Sequence, residues 1–366
     1  MNESIDIKLI NEEYINYVDI VRKFENVPFV EKKTKSKVFK ILQHLLEDRI
    51  MYRYSINEPP YHGYNKIDSK EMEIINEFFN NTKQYFENTN KKNDLYYNLD
   101  KIKDYFISTI NNIDKSQLSK HHRIEQTYDH VRYGRIIIKL DNRLRLLLKM
   151  SNVHIFVRFI LRYIGYGITG QHCSIPFDVY KYLYDNLNIK GEGFSSPLNS
   201  KLLGLPETVF CTLFEDTDKY FGSLGPFSSD KIIKHSEKNW LLNPPYIESI
   251  LYYAYEHSLT ALDKITRDDF MIIYMMPKWE DSEVYTGFKQ SKYLVDCIEP
   301  DVGKHYMNCN GNMVHMTGVV NVMFFLSRNK NVINQNQINT IKKIWNQKTL
   351  DLNNQSSFSS PEMSDE

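Results

Sequence analysis

Trp240-Leu241-Leu242-Asn243-Pro244-Pro245-Tyr246 is the stretch on which the reading of this chain turns. An apolar triplet suited to a buried strand runs straight into a stiff turn, and a helix-compatible stretch, Ile247 to Leu259, follows. Other runs repeat the pattern on either side: Gly193-Phe194, Phe270 to Met276, Tyr293 to Ile298 and Val319 to Leu326. Each is bounded by Gly, Pro, Asn or Asp and separated from the next by helix-like sequence. Strands alternating with helices imply an α/β fold with a mostly parallel sheet covered on both faces. In open sheets of that kind ligands sit beyond the carboxyl ends of the strands. Asn243 to Tyr246 is therefore expected at a binding crevice.

Upstream, residues 1–165 read as a helical domain. Val38 to Ile50 and Met72 to Phe86 place apolar residues at three- and four-residue spacings, and Arg143 to Tyr163 continues the pattern with Arg158 and Arg162 one turn apart. Pro59 and Pro60 break the first helical region, Asn88 to Asp94 reads as a polar loop, and Gly165-Tyr166-Gly167 ends the last helix. Residues 166–347 form the α/β domain. The polar tail, 348–366, is expected to be disordered.

The chain has 366 residues with 46 basic and 46 acidic side chains, enough length for a full core without staples. Cys173, Cys211, Cys297 and Cys309 are scattered, which points away from a disulfide framework and toward a reducing, intracellular compartment, nucleus or cytoplasm. No leader pattern opens the sequence, and four arginines interrupt the apolar stretch Ile136 to Ile164, so no membrane partner is expected. Cys297, His305, Cys309 and His315 are spaced too loosely for a zinc site, and no metal is expected. Between His121 and Gly165 basic residues outnumber acidic ones. Arg123, Arg132, Arg135, Arg158 and Arg162 are candidates for contacting a phosphate-rich partner; the alternative is an ordinary solvated helix face.

The residue types of the tetrapeptide suit one chemistry. An exocyclic amine such as N6 of adenine is a poor nucleophile because its lone pair is delocalised into the ring. The Asn243 side-chain oxygen and the Pro244 carbonyl can accept its two N–H groups, draw the nitrogen toward tetrahedral geometry and free the lone pair. Pro244 and Pro245 offer no competing N–H and stiffen the turn. Tyr246 can stack on the base. A plain rigid turn is the competing reading, and amide and cytosine methylases share the signature, so the tetrapeptide alone does not fix the substrate.

Two further stretches narrow the choice. Phe194-Ser195-Ser196-Pro197-Leu198-Asn199-Ser200 and Phe214-Glu215-Asp216-Thr217-Asp218-Lys219-Tyr220-Phe221-Gly222-Ser223-Leu224-Gly225-Pro226-Phe227 precede the tetrapeptide, and Met276-Pro277-Lys278-Trp279-Glu280 follows it. In this order they resemble the cap-specific adenosine N6-methyltransferases of the phosphorylated-CTD-interacting factor type, over roughly Gly170 to Ser327. The resemblance implies a Rossmann-like methyltransferase domain preceded by a helical domain, using S-adenosylmethionine and acting on the cap-adjacent adenosine of mRNA. By position it implies a cofactor pocket formed by Phe194, Ser196, Pro197, Asn199, Asp216, Asp218, Phe221, Gly222, Ser223 and Asn243. The catalytic turn is Asn243, Pro244, Pro245 and Tyr246, and Tyr246, Glu248, Trp279 and Glu299 are candidates to touch substrate. Of the three tryptophans, Trp240, Trp279 and Trp345, none lies in a WW pattern near the N-terminus, so no WW-type polymerase-tail module is expected. The alternatives are N6-adenine methylation of DNA or internal RNA, and a non-catalytic cap-binding protein.

Overall fold

The computed structural model describes residues 22–55, 67–90, 92–112, 122–165, 173–299, 306–309, 312–315, 320–347 and 362–363, together with residues 10, 11, 13, 14 and 20. The chain divides into two compact units, residues 1–139, 152–168 and 360–366 in one and 140–151 and 169–359 in the other.

In the first unit, helices α1 (Lys32–Ser55), α2 (Ser69–Asn88) and α3 (Asp94–Asn111) bury Leu42, Ile75, Phe79, Leu99, Ile102 and Phe106. Asp68 caps α2, accepting from the Glu71 amide, while Glu71 Oε2 accepts from the Asp68 amide. The other Glu71 oxygen takes Arg49 Nε at 2.7 Å in a buried pair. Not all of this half is helical. Strands β1 (Ile124–Gln126), β2 (His130–Tyr133) and β3 (Ile136–Lys139) form an antiparallel meander, and β13 (Glu362–Met363) pairs with β3. The helical reading missed a local signal: Gly134, at φ 56°, makes the tight turn, and Ile136-Ile137-Ile138 is β-branched throughout. Helix α5 (Val153–Gly165) also belongs to this unit. The tail expected to be disordered lies outside the described residues apart from β13, and so do Pro59, Pro60 and Tyr166-Gly167.

The second unit begins with α4 (Asn142–Met150), followed by β4 (Cys173–Ser174), α6 (Phe177–Leu187), β5 (Ile189–Ser195) and β6 (Val209–Thr212). Then come α7 (Glu215–Asp218), α8 (Ser229–Lys234), β7 (Asn239–Leu242), α9 (Glu248–Lys264) and β8 (Ile272–Pro277). The rest is α10 (Glu283–Lys289), β9 (Leu294–Ile298), β10 (Tyr306–Cys309), β11 (Asn312–His315), β12 (Asn321–Leu326) and α11 (Gln335–Trp345). The six-stranded sheet runs β6-β5-β7-β8-β12-β9, parallel from β6 to β8 and antiparallel around β12. It is a Rossmann-like, mostly parallel sheet. Each strand read from sequence is present within a few residues.

Alternation along the strands builds a core on each face. Trp240, Leu242, Ile272, Tyr274, Met276, Phe324 and Leu326 pack with Ile232 of α8, Leu251 and Ala254 of α9 and Phe288 of α10. Leu241, Ile273, Met275, Met323 and Phe325 pack with Val179 and Leu183 of α6 and Ile341 and Trp345 of α11. Among the described residues no helix is long and apolar enough to cross a membrane. The cysteine expectation needs correcting. Cys173 is disulfide-bonded, while Cys211 and Cys297 are free. In the β4–β10 ladder, Cys173 stands opposite Cys309, a pairing that sequence spacing gives no hint of because the two strands are far apart in the chain.

β5 and β7 are unusually close. A Cβ at Gly191 would lie 2.4 Å from the Trp240 ring, and one at Gly193 would lie 2.2 Å from Leu242 Cδ2. Gly191→Ala must move a fully buried indole. Overpacking of about 1–3 kcal/mol outweighs the roughly 0.4–1 kcal/mol that removing a glycine returns through the unfolded chain. The expected result in urea unfolding is a lower midpoint with an unchanged slope; an unchanged or raised midpoint would refute the close approach.

Candidate active site

The chain leaves β5, forms β6 on one side, then crosses back to form β7 on the other. The crevice between the carboxyl ends of β5 and β7 is thus a topological switch point, the position at which open α/β sheets bind ligands. Ser196 follows β5 and Asn243 follows β7. The two stretches singled out from sequence therefore emerge side by side.

The loop after β5 is closed by its own side chains. The Ser196 amide donates to Asn199 Oδ1 at 2.7 Å, and the Ser200 amide donates to the Ser196 carbonyl at 2.9 Å. Ser196 is buried, Pro197 lies in the same turn, and Phe194 packs on Phe227 with ring centroids 4.6 Å apart. From α4, Arg143 reaches this loop, Nε donating to the Pro197 carbonyl at 2.9 Å and a terminal nitrogen to the Ser200 carbonyl at 2.8 Å.

Beyond β6 the chain turns through α7 and a 3-10 turn, Lys219–Phe221, ended by Gly222 at φ 88°. The segment folds back on β6: Ser223 Oγ lies 2.7 Å from Thr212 Oγ1, and the Ser223 amide donates to the Asp218 carbonyl at 3.3 Å. Asp218 and Phe221 are buried within the turn, Asp216 is half-buried and Gly222 is exposed. The signature thus splits in two. Asp218 and Phe221 shape the turn, whereas Asp216 is only half-buried and Gly222 lies at the surface.

Asn243 holds the most telling atom. Its Nδ2 donates to the Cys173 carbonyl at 3.2 Å, and its Oδ1, shielded from solvent, accepts no hydrogen bond from the described residues. The reverse amide orientation would press two oxygens together, so the contact with Cys173 fixes which atom points onward. Leaving a buried oxygen unsatisfied costs about 1–3 kcal/mol, and such an atom calls for a donor from a ligand.

The substrate candidates gather in part. Tyr246 meets Trp279 edge to face, centroids 6.5 Å apart at 72°, and Trp279 is 36% exposed. Burial raises the Tyr246 hydroxyl above its ordinary value, opposed by a hydrogen-bonding interaction with Asn321 of β12. Glu248, at the start of α9, accepts from Ser282 Oγ at 2.8 Å. Glu299 is bound up in protein contacts, 2.8 Å from Lys278 Nζ and 3.7 Å from Lys289 Nζ. Burial pushes its carboxyl up, but the Lys278 hydrogen bond and charge win and hold it below the usual range. No group of three or more His, Cys, Asp or Glu side chains suited to a metal occurs among the described residues, and His305 lies outside them.

Residues 149–309 match the family model described as Phosphorylated CTD interacting factor 1 WW domain. That stretch is similar to the phosphorylated CTD interacting factor family. Similar curated relatives are the mRNA (2'-O-methyladenosine-N(6)-)-methyltransferases of Mus musculus, 28% identical over 130 residues, and of Homo sapiens, 29% identical over 130 residues. The match takes in 35% of this chain and 17% of each relative's length. It overturns the expectation that no WW-type module is present, because the matched model is itself described as a WW domain. That expectation looked for a tryptophan pattern near the N-terminus, whereas the match lies mid-chain, where Trp240 and Trp279 stand.

Three polar groups around the loop after β5 escaped the sequence reading: Arg143, Glu192 and Ser200. A glutamate between two glycines on a buried parallel strand was the available signal, since carboxylates are rarely fully buried without partners. One guessed contact is reassigned. Arg162 is completely buried, and its guanidinium donates to Glu13 Oε1 at 2.8 Å from Nε and 2.5 Å from NH2. It serves the fold of the first unit and is not available to a phosphate. Glu13→Ala removes a carboxylate partner from that buried cation and is expected to cost about 3–5 kcal/mol, seen as a large fall in melting temperature. A melt like that of the parent chain would return Arg162 to the surface candidates.

Proposed function

We propose that this chain transfers a methyl group from S-adenosylmethionine to the N6 amine of adenosine in RNA, at the cap-adjacent position of mRNA. The observation that carries the reading is the buried, unsatisfied Asn243 Oδ1 at the β5–β7 switch point. The relatives' names support it: both act on 2'-O-methyladenosine of mRNA at N6.

The residues fit the implied cofactor. Acceptors suited to a cationic, hydroxyl-bearing ligand stand near the strand ends, with half-buried Asp216 beyond β6 and the Ser196–Ser200 turn beyond β5. When bound, S-adenosylmethionine supplies an electrophilic methyl group. The protein's own part is to hold the amine. Asn243 Oδ1 and the Pro244 carbonyl take its two hydrogens, and the corner formed by Tyr246 and Trp279 offers faces to a base. Stacking of this sort contributes about 1–3 kcal/mol per base. Positioning an amine against the methyl donor lowers a barrier by several kcal/mol, up to about 7–11 in the best cases.

The test is mass spectrometry of nucleosides after incubation with capped RNA beginning in adenosine, beside uncapped RNA and DNA of the same sequence. N6-methylated adenosine confined to the capped RNA is the expected product. Equal methylation of all three would discard cap dependence, and no methylated nucleoside at all would discard the activity. Asn243→Ala is expected to lower kcat by about 10²–10³-fold, the range seen when one transition-state hydrogen-bonding group is lost, with a far smaller change in cofactor affinity.

A further inference from the structure

Beneath the Ser196–Ser200 loop lies a carboxylate that the proposed reaction does not use. Glu192, on β5, is only 5% exposed and accepts from Ser200 Oγ at 2.7 Å. Other groups face it from each packed element: Tyr180 from α6, Arg143 from α4, Lys201 just past the loop and Cys211 from β6. The Tyr180 hydroxyl is buried beside the carboxylate and interacts with it. Arg143 grips the loop through the Pro197 and Ser200 carbonyls. One end of the loop is thus tied to a cation and its last residue to an acid.

We propose that Glu192 is a positioning residue that latches the Ser196–Ser200 loop, and that ionisation of its carboxyl tightens the loop around the cofactor. The link to the cofactor rests on the function proposed above. Burial pushes the Glu192 carboxyl up to about 7, against the pull of Ser200, Tyr180, Lys201 and Arg143, so the change falls near neutrality. Its sign follows from linkage. The folded protein holds a proton on Glu192 that the unfolded chain has already lost, so stability falls as pH rises between the ordinary glutamate range and about 7. The loop behaves oppositely. The charged carboxylate draws the surrounding donors more strongly than the acid does, and the loop closes as pH passes 7.

The experiment measures hydrogen exchange of the loop peptide, corrected for intrinsic rates, and calorimetric affinity for S-adenosylmethionine, both from pH 6 to 8. In the parent chain protection rises across neutrality and affinity rises about tenfold for each unit by which binding lowers the Glu192 titration. Glu192→Gln, which keeps an acceptor for Ser200, loses both slopes. Ser200→Ala removes a hydrogen bond that favours the charged form, and moves the step to higher pH. A purely structural role would not shift that midpoint. A flat parent profile, or a slope kept in Glu192→Gln, overturns the latch. If protection steps with pH in the parent chain only, and S-adenosylmethionine never binds, the latch stands and the methyltransferase reading falls.

Discussion

The distance between β5 and β7 governs the second unit. No side chain projects from Gly191 or Gly193, and the Trp240 indole and Leu242 occupy the space a Cβ would fill. That contact sets two strands from different parts of the sequence side by side at the switch point, so that the Ser196–Ser200 loop and the Asn243–Tyr246 turn leave the same end of the sheet from neighbouring strands. A wider spacing would leave each loop intact and still separate the groups that the proposed reaction brings together. Asn239 secures the other end of β7, its Nδ2 donating to the Leu187 carbonyl at 2.7 Å and its Oδ1 accepting from the Met271 amide at 2.9 Å.

Given that spacing, the orientation of Asn243 follows from hydrogen bonding. A buried amide needs donors and acceptors at both ends. The Cys173 carbonyl satisfies the nitrogen, and the oxygen is left aimed onward. An asparagine used only to stiffen a turn would normally accept from a nearby backbone amide. Asn199 does so, taking the Ser196 amide at 2.7 Å, as does Asn93 at the start of α3. Asn243 does not. The contrast sets Asn243 apart from the structural asparagines without reference to any relative, and supports its proposed role as a ligand acceptor.

The α/β half was legible because its signals are short-range. Apolar runs closed by Gly, Pro or Asn gave β7, β8, β9 and β12, and the tetrapeptide stood at a strand's carboxyl end as any open sheet requires. The helical half was read less well. Ile136 to Ile138 was absorbed into a helical stretch because an apolar run does not by itself distinguish strand from helix; the distinction lay in Gly134 and the β-branched side chains. At the site, sequence motifs grouped residues that the fold separates. Asp216 and Asp218 are two residues apart, yet one is half-buried and the other is sealed in its own turn. Glu299 fits the motif order but is engaged by two lysines. Motif position says which loop a residue occupies. Which way it faces depends on long-range packing.

Charge shows the same division. The basic residues between His121 and Gly165 look like one patch in sequence, but they have different fates. Arg162 is buried against Glu13, and Arg143 is spent on two loop carbonyls. A guanidinium committed to buried acceptors cannot reach a phosphate without giving up hydrogen bonds to a charged group, each contributing about 1.5–3 kcal/mol. The number of arginines in a stretch therefore overstates its pull on a nucleic acid. In this chain part of the apparent electrostatic footprint is internal scaffolding: Arg162 holds the first unit together, and Arg143 fixes the loop on which the proposed cofactor site depends.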